Sequence, residues 1–269
     1  MSAVLPHRYD TSRRFSEPGS ALNRVVQLVG HNRRVIDVGC GPGVVASRLA
    51  QRGCEITIVD SDREALRLAS GHARRAYCLD LNDPAWAERL ERGERYDVVI
   101  LSDVLEHLVD PDAVLQGVVQ LLADGGHVVL SLPNISHNGI VATLWQSNFK
   151  YSETGLLDRT HVRFYSAHDI EPLLERASLV LEHVEFVTVH PRRTEFASAW
   201  EALPLHAKLS LRSNPYGNVY QFVLRARPAA FASKPITIDS VPVPPVRDPM
   251  WMMPLRPLAR LARRYQLIA

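Results

Sequence analysis

The chain has 269 residues, 46% of them hydrophobic, which suits one α/β domain with additions. A net charge of +2, with Arg scattered except near the C-terminus, offers nothing electrostatic that points to nucleic acid. Cys40, Cys54 and Cys78 lack CxxC or Cys/His spacing, no apolar h-region follows Met1 and no 18-residue apolar run occurs; disulfides, a zinc site, a signal peptide and a spanning helix are therefore not expected, and a reducing, cytoplasmic setting is.

Residues 1–17 read as a polar arm. Residues 20–29 read as a helix with Leu22, Val25, Val26 and Val29 on one face, so that 1–32 forms an arm and a lid helix. From residue 33 strands and helices alternate. Strands are predicted at 34–38, 55–59, 75–79, 96–101 and 127–132, and helices at 43–52, 62–70, 84–91, 111–122 and 167–177. Asp110-Pro111 is a helix start, an acid cap before a proline in the first turn, and Ser166 to Asp169 has capping-box spacing. This alternation predicts a parallel sheet covered on both faces. The stretches 179–189 and 218–226 are two strands without the usual crossover helix between them, hence an antiparallel pair at one edge. Six prolines in 227–249 read as an extended linker, and 250–269 as a basic amphipathic helix.

The most informative stretch is Val35-Ile36-Asp37-Val38-Gly39-Cys40-Gly41-Pro42-Gly43, a strand that breaks into a glycine turn before a helix. The next strand, Glu55 to Val59, ends in Asp60, an acid able to accept both hydroxyls of a ribose. A dinucleotide fingerprint starting at Gly39 needs glycine at position 44, where Val44 stands, so an NAD-dependent oxidoreductase is disfavoured. The G-x-G-x-G spacing, with Asp37 two residues ahead, resembles motif I of the class I S-adenosylmethionine (SAM) methyltransferases. Tyr77-Cys78-Leu79-Asp80-Leu81, the stretch Tyr96 to Leu108 with its Leu105-Glu106-His107, and Gly125 to Asn134 resemble the later motifs of that family, in order.

The resemblance implies a Rossmann-like α/β fold over 33–228, with a seven-stranded, mostly parallel sheet in the order 3-2-1-4-5-7-6 and helices on both faces. Insertions at 134–165 and 190–217 would cover the acceptor. It implies SAM as cofactor, S-adenosylhomocysteine as product, and a cofactor site of Asp37, Gly39, Cys40, Gly41, Gly43, Asp60, Ser61, Asp80, Leu81 and Ser102, with Asp80 toward the adenine amino group. A narrower likeness, Gly155 to Tyr165, is to bacterial methyltransferases found with glycosyltransferases in surface-polysaccharide pathways. It ranks a sugar hydroxyl of a glycan or glycolipid precursor first among acceptors. A small-molecule N- or O-methyltransferase of secondary metabolism is the alternative, and a non-catalytic SAM-binding partner of a glycosyltransferase is the rival outside enzymes.

A hydroxyl acceptor needs a base, and four groups qualify: Asp103 at the tip of the fourth strand, His107 a turn further on, and Asp158 and His161 in the insertion. Histidine, with a pKa near ~6.5, suits the task better than aspartate near ~3.9. His161 is preferred, oriented by Asp158 or Asp103. Against this stand a salt-bridged lid at 158–161 that only holds shape, and a His107 that packs under the cofactor. Asp103, Asp158 and His161 lack metal-site spacing, so no metal is expected. Arg159 and Arg163 either grip an anionic acceptor or are solvated. The 250–269 helix either lies on the inner face of the membrane, peripherally, or docks on the domain or a second copy in a homodimer.

Overall fold

The computed structural model describes residues 19–246. The N-terminal arm and the 250–269 helix lie outside the described residues. The sheet has seven strands in the order β3-β2-β1-β4-β5-β7-β6. They are β1 (Arg34–Val38), β2 (Glu55–Asp60), β3 (Arg75–Cys78), β4 (Tyr96–Ser102), β5 (Leu122–Pro133), β6 (Leu179–Thr188) and β7 (Val219–Pro228). The pairs among β1–β5 are parallel; β7 runs antiparallel to both β5 and β6.

Strand side chains alternate between two cores. Val35, Ile56, Ile58 and Val98 pack with α1 (Ala21–Val29), α2 (Val44–Ala50) and α3 (Arg63–Ala69). Ile36, Val38, Val99 and Leu101 pack with α4 (Pro111–Leu121) and α6 (Ala167–Arg176) on the other face. The starts of both α4 and α6 follow the sequence signals: Asp110 accepts from the Ala113 N–H at 3.0 Å, and Asp169 accepts the Ser166 N–H and hydroxyl at 2.7 and 2.6 Å. Since parallel strands share one direction, the loops after β1, β2, β3 and β4 emerge along one edge, where open α/β sheets bind ligands.

Four expectations change. The helix read as a lid, α1, is a layer of the sheet: Ala21, Val25, Val26 and Val29 are buried and contact β4, β5 and β7. Residues 84–91 form only a turn of 3-10 helix, Ala87–Arg89, because Asp83 caps the Ala85 N–H at 3.0 Å and Trp86 drops into the core beside Gly117. Strand β5 starts at Leu122 rather than 127, with an irregular register against β4 between Tyr96 and Val98. The linker beyond β7 is a packed strap: the Ala229 N–H donates to Ser178 O, Ile236 N–H to Leu181 O and Ile238 N–H to Glu171, and Ile238 is buried.

The insertions form a cap. Helix α5 (Asn138–Trp145) lies on α7 (Ala197–Ala202), and α8 (Leu205–Leu211) joins through a small core of Ala142, Trp200, Leu203 and Ala207. Asn138 donates from its side chain to Leu211 O and from its backbone to Gly217 O, stitching one insertion to the other.

Candidate active site

At the β1 edge Gly39, Gly41 and Gly43 all have positive φ, yet they serve different needs. A Cβ on Gly39 would meet Val104 at 2.6 Å, and one on Gly43 would meet Ala69 at 2.5 Å, so both are glycine for internal packing. A Cβ on Gly41 would point into open space with no neighbour within 4 Å, leaving a cradle for a ligand. The Gly41 N–H donates to Asp60 Oδ2 at 2.8 Å and the Asp62 N–H to Oδ1 at 2.9 Å, which fixes the carboxylate beside that cradle while each oxygen keeps a further lone pair.

Asp37 is 1% exposed, and its Oδ2 has no hydrogen-bond partner. Burial, and secondarily the charge of Asp60, push its carboxyl up to about 7. Cys40 is buried and its thiol is pushed up by the same burial, so it stays neutral. Ser61 and Asp80 are exposed at the ends of β2 and β3, where Asp80 accepts from the Asn82 N–H at 2.9 Å; the Leu81 side chain enters the core. The Ser102 and Ser131 hydroxyls lie 3.2 Å apart. The open cradle at Gly41, the fixed acid Asp60 and the orphaned buried oxygen of Asp37 fit a ligand with a ribose and a cationic centre, as SAM has.

The four candidate bases come together at the β4 end. Asp103 has φ 54, a backbone setting that Asp tolerates better than most residues. Its carboxylate accepts from the Ser131 hydroxyl at 2.7 Å and from the Gln221 amide at 3.0 Å to each oxygen. His107 and His161 meet edge to face with ring centroids 4.8 Å apart. His161 Nδ1 lies 3.2 Å from Leu156 O. Asp158 reaches the pair indirectly. Its Oδ1 accepts from the Thr160 N–H and hydroxyl at 2.8 and 2.7 Å, and that hydroxyl is 3.0 Å from His107 Nδ1, which also lies 3.2 Å from Thr160 O. A carbonyl only accepts, so Nδ1 of each neutral ring carries the proton and Nε2 keeps the basic lone pair. Arg159 pairs with Glu153, and Arg163 donates to Val109 O at 2.6 Å, so both have structural partners.

Sequence reasoning passed over Glu106 and Gln221. Glu106 was in view only as the middle of Leu105-Glu106-His107. It is 1% exposed, and its backbone oxygen accepts from the N–H groups of Val162 and Arg163, tying the cap to β4. Burial first, then the charges of Asp103 and Asp158, hold its carboxyl well above the usual range, and Oε2 has no hydrogen-bond partner. Glu106, His107 and His161 each present a ligand atom within 4.8 Å of the others, a set able to hold a metal ion, although no metal was expected. Gln221 gives no signal in the sequence, because only the β5–β7 pairing brings it to Asp103.

The methyltransferase-domain family matches residues 11–184. A ubiquinone biosynthesis O-methyltransferase of Shewanella halifaxensis is 28% identical over 174 residues, 63% of this chain and 74% of that protein. Among solved structures, a SAM-dependent methyltransferase from Archaeoglobus fulgidus superposes with a TM-score of 0.55 at 15% identity, covering 81% of this chain and 93% of the other. The magnesium protoporphyrin IX methyltransferase of Synechocystis PCC 6803, with S-adenosylhomocysteine bound, gives 0.53 at 17% over the same shares. Both structures share the fold. The family match covers most of the chain: the chain belongs to the methyltransferase-domain family and is a SAM-dependent methyltransferase.

Proposed function

We propose that this enzyme is an O-methyltransferase acting on an acceptor hydroxyl, with His161 as the base. The observation that carries the reading is the pair of imidazoles at the ligand-binding edge, each with Nδ1 held by a backbone carbonyl. Bound SAM supplies a methyl group on a sulfonium. Asp60 and the Gly41 cradle would hold the nucleoside end. His161 Nε2 would take the proton of the acceptor hydroxyl as its oxygen receives the methyl group. The cap, tied down by Glu106, excludes water.

The relatives named for ubiquinone biosynthesis carry O-methylation, and no part of the comparison supports the polysaccharide association that ranked a sugar first. His161 meets the ring of Phe164 with centroids 6.3 Å apart, and Phe164 meets Phe149 at 6.2 Å. Aromatic rings beside the base favour a flat phenolic acceptor over a sugar hydroxyl. Turnover of SAM with a catechol is expected to exceed turnover with nucleotide sugars. His161→Ala should lower kcat by roughly 10²–10⁴-fold with SAM affinity nearly unchanged. Near-normal kcat in that variant on the working acceptor would remove the base from His161.

The cluster of Glu106, His107 and His161 supports a second reading, in which a divalent cation held there acidifies the hydroxyl. Dialysis against EDTA separates the two. Activity lost and restored by magnesium or zinc selects the cation; activity kept selects the histidine.

A further inference from the structure

Six of the ten large hydrophobic side chains exposed among the described residues stand on α5, the loop after it and α8: Leu144, Trp145, Phe149, Tyr151, Leu205 and Leu209. Trp145 is 58% exposed and Tyr151 55%. They form one face. The Trp145 ring meets His206 of α8 with centroids 6.3 Å apart, and Gln146 ties α5 to Ala199 O at 2.8 Å. Phe149 meets Tyr151 at 5.3 Å and Phe164 at 6.2 Å. From Phe164 the ring contacts continue to His161 and then His107, so the exposed face leads without a break into the active site.

Charge indicates what covers this face. The cap segments 134–165 and 190–217 hold seven Lys or Arg against four Asp or Glu, whereas the whole chain is only +2. The positive excess therefore sits on the cap, and the remainder of the chain is slightly negative. Of the four acids Asp158 is buried, and Glu195 is bound by the Tyr220 hydroxyl. Arg159 pairs with Glu153, and Arg192 and Lys208 both meet Glu201, yet the cap keeps a net positive charge. Exposed Trp, Tyr and Leu on a positively charged cap match an anionic lipid surface, where the apolar groups enter the headgroup layer and the cations meet phosphate. A second copy fits less well, because an isologous contact would set this positive cap against itself. No helix among the described residues is long and apolar enough to cross a membrane.

We propose that the cap face seats the enzyme peripherally on an anionic bilayer, with the ring row from Tyr151 to His161 opening toward the lipid. The role of the row in admitting an acceptor rests on the proposed function; the seating does not. The test is sedimentation of the full-length protein with vesicles of phosphatidylcholine alone or mixed with phosphatidylglycerol. The protein should sediment with the mixed vesicles, less so in high salt, and poorly with neutral ones. Trp145→Ser combined with Phe149→Ser should weaken that binding by at least about tenfold. Leu68→Ser combined with Phe231→Ser, which alters exposed residues outside the cap, should leave it unchanged. SAM titration of each variant shows that it is folded and tests the cofactor site separately, so failure of vesicle binding and failure of the methyltransferase reading are distinguishable. Three outcomes overturn the proposal: no sedimentation of the wild type, equal sedimentation of the cap variant, which would assign binding to another segment such as 250–269, or a cap variant that changes only the oligomeric state.

Discussion

Asp37 and Asp60 are two carboxylates at one edge with opposite tasks. Asp60 is held by backbone N–H groups beside the open Gly41 cradle, so Asp60→Ala should weaken SAM binding by roughly 1.5–3 kcal/mol in calorimetry. Gly41→Val should be worse, because its side chain fills the cradle and its φ of 52 disfavours a β-branched residue. Asp37 has a folded pKa of about 7 against an ordinary 3.8. Between those values the folded chain holds a proton that the unfolded chain has lost, so this group makes stability fall as pH rises from about 4 to 7. The fall is on the order of 2–4 kcal/mol. Urea melts across that range should show the slope in the wild type and a flatter one in Asp37→Asn. A cationic ligand restores the charge on Asp37, so SAM affinity should rise with pH over the same window.

At the level of elements, the cap depends on a buried histidine at the start of α5. His137 donates from Nε2 to Val189 O at 2.9 Å and accepts the Gly139 N–H on Nδ1 at 3.1 Å. Both nitrogens are used in the neutral form, and a second proton would face the Gly139 N–H. Burial accordingly lowers its pKa to about 4 from 6.5. With the folded pKa depressed, the stability it supports is whole above pH ~6.5 and is lost as pH falls toward 4, to the extent of about 3 kcal/mol. Hydrogen-exchange protection over 137–145, taken relative to the intrinsic exchange rate at each pH, should fall on acidification through this range, and His137→Gln should show a smaller acid response. Protection that stays unchanged down to pH ~4 would mean that the cap does not depend on this ring.

For the whole molecule, the strap beyond β7 closes the face that holds α6. Ile238 is 1% exposed in the same core as Ile170 and Leu174, and the Tyr216 hydroxyl donates to Asp239 beside it. Ile238→Ala should cost about 2–4 kcal/mol and lower Tm, while SAM affinity stays the same because the strap lies outside the cofactor edge. Loss of SAM affinity in a variant that remains folded would show that the strap reaches the site.

The sequence by itself determined the alternation of strands and helices, the glycine turn after β1 and the acid that ends β2, while the strand order was implied by the family resemblance those motifs carry. These rest on local signals: alternating apolar runs, a glycine turn and an acid at a strand end, each carried by a few neighbouring residues. The starts of α4 and α6 were legible for the same reason, since a cap bonds only to its own first turn. The tertiary structure alone decided what His161 and His107 lean on, because Leu156 O and Thr160 arrive through the folding of the cap loop. It alone brought Gln221 to Asp103 across the β5–β7 pairing. It made Glu106 a buried neighbour of both histidines, turned the proline-rich stretch into a packed strap, and laid α1 on the sheet instead of over the acceptor. Burial and long-range contact depend on which surfaces meet, and no window of neighbouring residues contains that information.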